Sequence, residues 1–397
     1  MIRVVLTADN HLGRYYAKMS PSVLAERRKR LRQAFEQIVQ FACAQPTHLF
    51  LIAGDLFDSP NPRNIERTYV ADALRRLREH GVTVIAIGGN HDTPKSSTEQ
   101  GGHVPQSIYQ ELGALVFFDQ NPVIQPWIGE IADVKVAVRG ITPSPNLLPG
   151  HNPLDGVTFD GDDADVRILL MHCAIEGMIH PDAQEAMLSR AAIESLQGVD
   201  YLFVGDIHRY SNFVLGGKRV VVPGATEWMD FGDREDDKAG FVYLEIEPGR
   251  IDRQPQYKPI TPQPRAKVLI RVTELADDDP TSTVLTRLEA ASGADTMLKL
   301  RIEGAISLDL FSRLDMRCIE EAGRRDNFFF DLDVSGLQVQ RPMVNILAGV
   351  SRRSMREELA AYADKLISTT DGEEERAILA TTRQALLAQY DELVGGQ

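Results

Sequence analysis

The sequence predicts a layered α/β protein with a small second domain and a helical tail. Three observations carry this reading. Short β-branched runs alternate with helical patterns up to residue 252, the order of a sheet covered by helices. A proline-rich stretch, RQPQYKPITPQPRAK at 253–267, then breaks the pattern. A shorter β-α-β-α-β order follows over 268–342, and 350–397 turns polar and helical.

Each element has a local reason. IRVVLTA is a β-branched first strand. SPSVLAERRKRLRQAFEQIVQFACA reads as a helix, with Ser20 as N-cap and Pro21 in its first position. Leu24, Leu31, Phe35, Ile38, Val39 and Ala42 recur along it at helical spacing. HLFLIAG is a buried strand, NIERTYVADALRRLREHG a helix closed by Gly81, and VTVIAIGG the next strand. VKVAVRG, VRILLMH, DYLFVGD, KRVVVPG and GFVYLEI continue the strand series. Stretches 93–107 and 142–163 are polar and rich in proline and glycine, and read as long surface loops. His103, within the first, reads as exposed and incidental. In the second domain, VLIRV, a helix near 282–292, MLKLRIEG, a helix near 307–322 and FFFDLDV succeed one another. The tail reads as two helices broken at STTDGEEE. Met355, Leu359, Tyr362 and Leu366 form a narrow apolar stripe on one, and Ile378, Leu386, Tyr390 and Leu393 on the other. Such stripes suit a helix laid against another helix.

Composition bounds the function. Apolar content of 43% and charged content of 25% describe an ordinary globular chain. No apolar run reaches the roughly 18 residues of a membrane helix, so no membrane role is expected. MIRVVLTADNH reads as a strand rather than a secretory signal. Cys43, Cys173 and Cys318 are scattered and fit neither a disulfide framework nor a zinc spacing, which sets the expectation of a reducing cytoplasm. The net charge of −14 gives no overall attraction for nucleic acid, so DNA binding needs a local basic face or a partner. The densest basic run, ERRKRLR at 26–32, reads as a solvated helix face.

The chemistry lies at the strand ends. The first strand ends in Asp9-Asn10-His11, the second in Gly54-Asp55-Leu56-Phe57-Asp58, and the third in Gly89-Asn90-His91-Asp92. Later ones end in His172 and in Asp206 and His208. Any one of these residues suits a turn or a cap. Together they do not, because turn chemistry does not require His or Asn at every strand end. Ligands of open α/β sheets collect at the carboxyl ends of strands, so these side chains are expected on one rim. Oxygen and nitrogen donors without thiolate suit Mn, Fe or Zn. Their number exceeds one tetrahedral site and fits two ions sharing a carboxylate, which acidify a water and neutralise charge on phosphoryl oxygens.

The series DNH, GDLFD, GNHD, H and GDIH resembles the five motifs of calcineurin-like metallophosphoesterases. ADNHLG, LFLIAGDLFDSPNP, IAIGGNHD and VVVPGATEWMDFGDREDDKAGFVYLEI resemble the SbcD-type DNA repair nucleases within them. The resemblance covers 1–250 well, 265–340 moderately, and the tail only by position and helical character. It implies a four-layer α/β/β/α sandwich over 1–252, a linker at 253–267, a DNA-binding capping domain over 268–342 and an ATPase-docking tail over 350–397. It implies that Asp9, His11, Asp55 and His208 hold one metal, with Asp55 bridging, and that Asn90, His172 and Asp206 hold the second. His91 would face the scissile phosphate, and Asp58 would orient it. The family usually reads Gly-His-x-His where this chain has Gly-Asp-x-His at 205–208. An extra carboxylate shifts preference toward Mn²⁺ or Mg²⁺, with Fe also admitted, and away from Zn²⁺. The implied activity is Mn-dependent hydrolysis of DNA, by a homodimer working with an SbcC-type ABC ATPase. The same motifs serve phosphatases and small-molecule phosphodiesterases, and a non-catalytic DNA end-binding module follows if Asp206 cripples metal binding.

Overall fold

A computed structural model describes residues 1–96, 98–121, 123–145, 150–159, 161–178, 186–232, 238–340 and 354–394, with side chains to 391. The chain falls into two compact units, Met1–Val339 and Gln340–Gln397. In the first, two six-stranded sheets carry the architecture. One orders the strands Gln256–Pro259, Gly240–Ile246, Ile2–Thr7, Leu49–Ala53, Thr83–Ile87 and Val116–Phe118. Its last four are mutually parallel, and the first two run antiparallel to their neighbours. The other orders Ser211–Leu215, Lys218–Val222, Tyr201–Gly205, Val166–His172, Val134–Gly140 and Trp127–Ile131. Its four middle strands are parallel and its two edges antiparallel.

Alternate residues of each strand point to opposite faces, and here both faces are buried. Val4, Leu6, Leu51 and Ile85 of the first sheet meet Val138, Ile168, Leu170 and Phe203 of the second. Val5, Phe50, Ile52 and Val84 face outward under helices α1 (Pro21–Ala44) and α2 (Asn64–Glu79). Beyond α3 (Ser107–Glu111), the second sheet's outer face is covered by Ile193 of α4 (Arg190–Ser195). The four-layer α/β/β/α order is thus met. Ser20 caps α1 by accepting from the Val23 N–H.

The second domain is a three-stranded sheet of Arg265–Arg271, Met297–Ser307 and Phe329–Gln340. Helices α5 (Pro280–Ala291), α6 (Leu308–Arg313) and α7 (Met316–Asp326) cover it. The single helix expected near 307–322 is two, because Asp315 caps a new start by accepting from the Cys318 N–H. This domain is held against α1. Met19 and Leu24 pack on Met297 with Phe328 and Phe329, Lys18 pairs with Asp331 at 2.5 Å, and Arg265 lies 4.0 Å over the Trp228 ring.

Three further expectations differ from the structure. Within the 253–267 stretch, Gln256–Pro259 is an edge strand of the first sheet, and Arg265 already begins a strand of the second domain. Alternating Gln-Tyr-Lys-Pro at an exposed edge carries little apolar signal, which hid it. Arg27, inside the run read as solvated, is fully buried in an ion pair with Glu227 at 2.8 Å. In the loop read as surface, Val104 and Gln106 are buried, while His103 is exposed as expected.

The second unit is a hairpin of α8 (Met355–Thr369) and α9 (Glu373–Val394). Arg356–Asp391 at 2.7 Å and Arg383–Asp364 at 2.8 Å tie its two arms, and Leu387 is buried. Met355, Tyr362, Leu366, Ile378 and Leu386 of the predicted stripes are exposed. Leu393 lies outside the described side chains.

Candidate metal centre

The parallel strands of both sheets end at one rim, and each end hands over a polar side chain. Backbone hydrogen bonds lock the loops together: Asp9 N donates to Gly54 O at 3.2 Å, and His11 N to Asp55 O at 3.0 Å. The two sheets are joined there as well. Asp206 N donates to Asp9 Oδ1 at 3.1 Å, and His172 Nδ1 lies 2.9 Å from the Ala53 carbonyl. The loops are so close that a Cβ on Gly54 would sit 2.2 Å from His172 Nδ1, and one on Gly89 would sit 2.0 Å from Asp55 Oδ1. Asp9, His11, Asp55 and Asp206 all take positive φ, of 51°, 44°, 49° and 84°. Left-handed backbone costs such residues on the order of 1 kcal/mol each, and it marks a constellation the surroundings impose.

The imidazoles are held as ligands are. His11 Nδ1 is 3.0 Å from Asp58 Oδ1, and His172 Nδ1 faces a carbonyl, so in each ring Nδ1 is engaged and Nε2 is the atom left for a metal. Both Nε2 atoms and Asp9 Oδ2 are buried without a hydrogen-bond partner. Buried polar atoms are otherwise nearly always paired. Asp55 Oδ2 stands between the two rings, 3.5 Å from His11 Nε2 and 3.6 Å from His172 Nε2. Donor atoms of Asp9, His11 and His208 lie within 4.8 Å of one another, as do those of Asp9, Asp55 and His172. Asp206 Oδ1 is 3.6 Å from His172 Nε2 and accepts from Asn90 Nδ2 at 3.3 Å. All seven predicted ligands are therefore brought to one place, and the orphaned oxygen and nitrogen donors fit divalent cations.

Asp58 and His91 stand beside this set. A third group, His11, Asp58 and His91, is equally close. Arg14 Nη1, however, donates to Asp58 Oδ1 at 2.9 Å, and a guanidinium there opposes a third cation. Asp58, expected to orient His91, lies nearer His11, with His91 Nδ1 at 3.6 Å. His91 donates its backbone N–H to Asp55 Oδ1 at 2.9 Å and keeps a side chain 43% exposed, open to an approaching substrate.

The electrostatics follow from crowding. Burial works against ionisation of Asp55, but His172 and His11 outweigh it and hold the carboxyl well below its usual range. Burial likewise disfavours the charged form of His172, and Asp55, Asp206 and Asp9 reverse that and raise it well above the usual value. Divalent ions would displace that proton. Burial pushes the His91 imidazole down, only partly offset by Asp55.

Sequence reasoning missed three residues here. Asp92 is fully buried, accepts from Gly89 N at 2.7 Å and Phe57 N at 3.3 Å, and so joins two ligand loops. Burial, then the Asp55 charge, pushes it up to about 7. The buried Gln106 donates to it. Arg14 clamps Asp58. The GNHD motif contained a signal for Asp92, whereas nothing local marked Gln106 or Arg14.

A two-sheet sandwich with carboxylate, imidazole and amide donors converging on paired strand ends defines a metal-dependent phosphoesterase architecture. Residues 2–210 match the family model of the calcineurin-like phosphoesterases, and the chain belongs to that family. Among its relatives is the DNA double-strand break repair protein Mre11 of Haloferax volcanii, 28% identical over 305 residues, 77% of this chain and 62% of that protein. The protein of the same name from Methanopyrus kandleri is 26% identical over 262 residues, 63% of this chain and 55% of that protein. The chain thus spans less than two thirds of these relatives. Among solved structures, TT1561 of Thermus thermophilus is similar with a TM-score of 0.38 at 13% identity, covering 65% of this chain and 98% of that one.

Proposed function

We propose that the chain is the nuclease subunit of a DNA double-strand-break repair assembly, of the SbcD type. It hydrolyses phosphodiester bonds with two divalent ions, Mn²⁺ by preference. The observation that carries this is the set of buried, unpartnered donor atoms on Asp9, His11 and His172 beneath an exposed His91. The names of the relatives supply the substrate, DNA.

Asp9, His11, Asp55 and His208 would hold one ion, and Asn90, His172 and Asp206 the other. When bound, the ions supply Lewis acidity for the attacking water and for the phosphoryl oxygens. Asp58 fixes the His11 ring, and Arg14 fixes Asp58. His91 gives a proton to the leaving oxygen or stabilises charge on the transferring group. Three carboxylates around the pair favour Mn²⁺ over Zn²⁺, with Mg²⁺ and Fe as substitutes.

The small domain over 268–342 caps the site against DNA, and the hairpin of α8 and α9 docks on an SbcC-type ABC ATPase through its exposed apolar residues. A second copy pairs through Ile65, Ile108 and Leu112, which are exposed on α2, on α3 and just after α3, two helices tied by Tyr109 Oη donating to Arg67 O at 2.9 Å. The assembly works in the cytoplasm. No helix among the described residues is long and apolar enough to cross a membrane.

The test compares Mn²⁺-supported degradation of linear duplex DNA with hydrolysis of bis-p-nitrophenyl phosphate. Cleavage of the small ester alone would replace the nuclease with a phosphatase or small-molecule phosphodiesterase.

A further inference from the structure

Arg27 of α1 is fully buried, and the chemistry proposed above does not use it. Its Nη1 lies 2.8 Å from Glu227 Oε2 and donates to Gln263 Oε1 at 3.2 Å, and its Nη2 donates to the Trp228 carbonyl. Glu227 is buried too, and its carboxylate also serves the backbone. Oε1 accepts from Trp228 N at 2.7 Å, and Oε2 from Gln263 N at 3.1 Å. Gln263 Nε2 in turn donates at 3.1 Å to the carbonyl of Asp295, two residues before the small domain's middle strand. A buried ion pair is a poor source of stability, because desolvating the charges can cost more than their attraction returns. Apolar side chains of like size would fill the same space. A guanidinium fork adds direction, fixing α1, the segment 224–228 and Gln263 relative to one another.

That segment runs directly against the first metal position. Ala225 N donates to His208 O at 3.0 Å. Thr226 is buried, and its Oγ1 accepts at 3.4 Å from Nδ2 of Asn10, the residue between Asp9 and His11. The approach is close: a Cβ on Gly224 would sit 2.9 Å from His208 O. Glu227 is thus one residue from the contact to the Asp9–His11 loop and two from the contact to His208. We infer that Arg27 and Glu227 are positioning residues for the first metal position, setting the segment 224–228, and through it His208 and the Asp9–His11 loop, in register for a cation. This rests on the two-ion reading of the site. Groups that orient metal ligands typically change affinity by about 10–100-fold, and a pair acting through one further residue belongs at the low end.

The test is calorimetric titration of the full chain with Mn²⁺, beside urea unfolding. Arg27→Met combined with Glu227→Gln removes both charges at similar size, and the new amide oxygen still accepts from the Trp228 and Gln263 N–H groups. This variant is expected to stay folded and to bind one Mn²⁺ about tenfold more weakly, with the other within about twofold of the parent. The same loss is expected in the Asp206→Ala background, which keeps the first position. Arg27→Lys keeps the charge but not the planar fork, should lose part of the same affinity, and carries the test if the double variant does not fold. Arg76→Gln loosens α1 from α2 at the Glu36 pair, away from this segment, and should weaken neither equivalent. Unchanged titrations in the double variant and in Arg27→Lys overturn the inference, as does equal weakening of both equivalents. A loss that disappears in the Asp206→Ala background overturns it too, because the effect would lie at the second position. So does an equal loss in Arg76→Gln, which would make the pair general support for α1. A parent that binds fewer than two equivalents loses the two-ion reading and this inference with it. One that binds two, with the variants unchanged, loses only the inference.

Discussion

Asp206 shows how much of this site is decided by single side chains. Its φ of 84° is a strained conformation for a non-glycine residue, and its backbone N–H anchors Asp9. In the proposed reading its carboxylate would join those of Asp9 and Asp55 around two ions, giving a more oxygen-rich site than histidine would. Asp206→His is expected to keep the fold and raise zinc affinity at the second site relative to manganese. Asp206→Ala should leave that site empty at micromolar metal. Calorimetric titration decides it, and an alanine variant that binds two equivalents as tightly as the parent would reduce Asp206 to a turn residue. His91 differs in kind. It is 43% exposed, its backbone N–H holds Asp55, and its ring stands edge-on 4.7 Å from the His11 ring, so in the proposed reading His91→Ala should lower cleavage about 10²–10⁴-fold with both metals retained. Loss of a metal equivalent in that variant would show His91 to be a ligand.

Between elements, the α1–α2 pairing offers a measurable charge effect. Arg76 donates to both oxygens of Glu36, at 2.7 Å and 2.6 Å. The Arg76 hydrogen bonds lead the causes that lower the Glu36 pKa from 4.5, ahead of opposing burial. A carboxyl whose folded pKa is depressed adds stability above its unfolded value and loses it as pH falls through the folded one. Glu36→Gln should therefore cost about 0.5–1 kcal/mol at pH 7, the range of partly exposed pairs. The gap between parent and variant should close below pH 4.5, checked by urea unfolding at a series of pH values. A gap unchanged at pH 3 would refute the pair as its source. At this scale the sequence was most legible. Strands and helices of the first domain announce themselves because each buries apolar residues at its own period, and ligand types at strand ends reflect chemistry that turns do not need. Arg27 and Gln106 were illegible because their partners, Glu227 and Asp92, are met only after the chain has folded back. The edge strand Gln256–Pro259 was illegible because an edge needs no apolar alternation.

At the scale of the whole molecule, the proposed function poses the problem of how a chain of net charge −14 would work on a polyanion. Long-range repulsion slows encounter and grows as salt falls. Two dications, if bound as proposed, would offset it only locally, so duplex ends would have to be delivered by something else. In the proposed reading the hairpin of α8 and α9 serves that delivery. Its arms hold each other by Arg356–Asp391 and Arg383–Asp364, which leaves Met355, Tyr362, Leu366, Ile378 and Leu386 facing solvent. Exposed apolar residues on a self-supporting hairpin suit a partner's helices, and in this reading the partner is the ATPase. Ending the chain near Ala348, which lies outside the described residues, should leave a folded protein that still cuts single-stranded or frayed DNA with metal. It should no longer bind the ATPase or show ATP-stimulated cutting of duplex ends. Co-purification and cleavage of blunt and frayed substrates, with and without ATP, measure both. A truncated chain that still co-purifies with the ATPase would place the docking surface elsewhere, and one that aggregates would mean the hairpin covers this chain's own core.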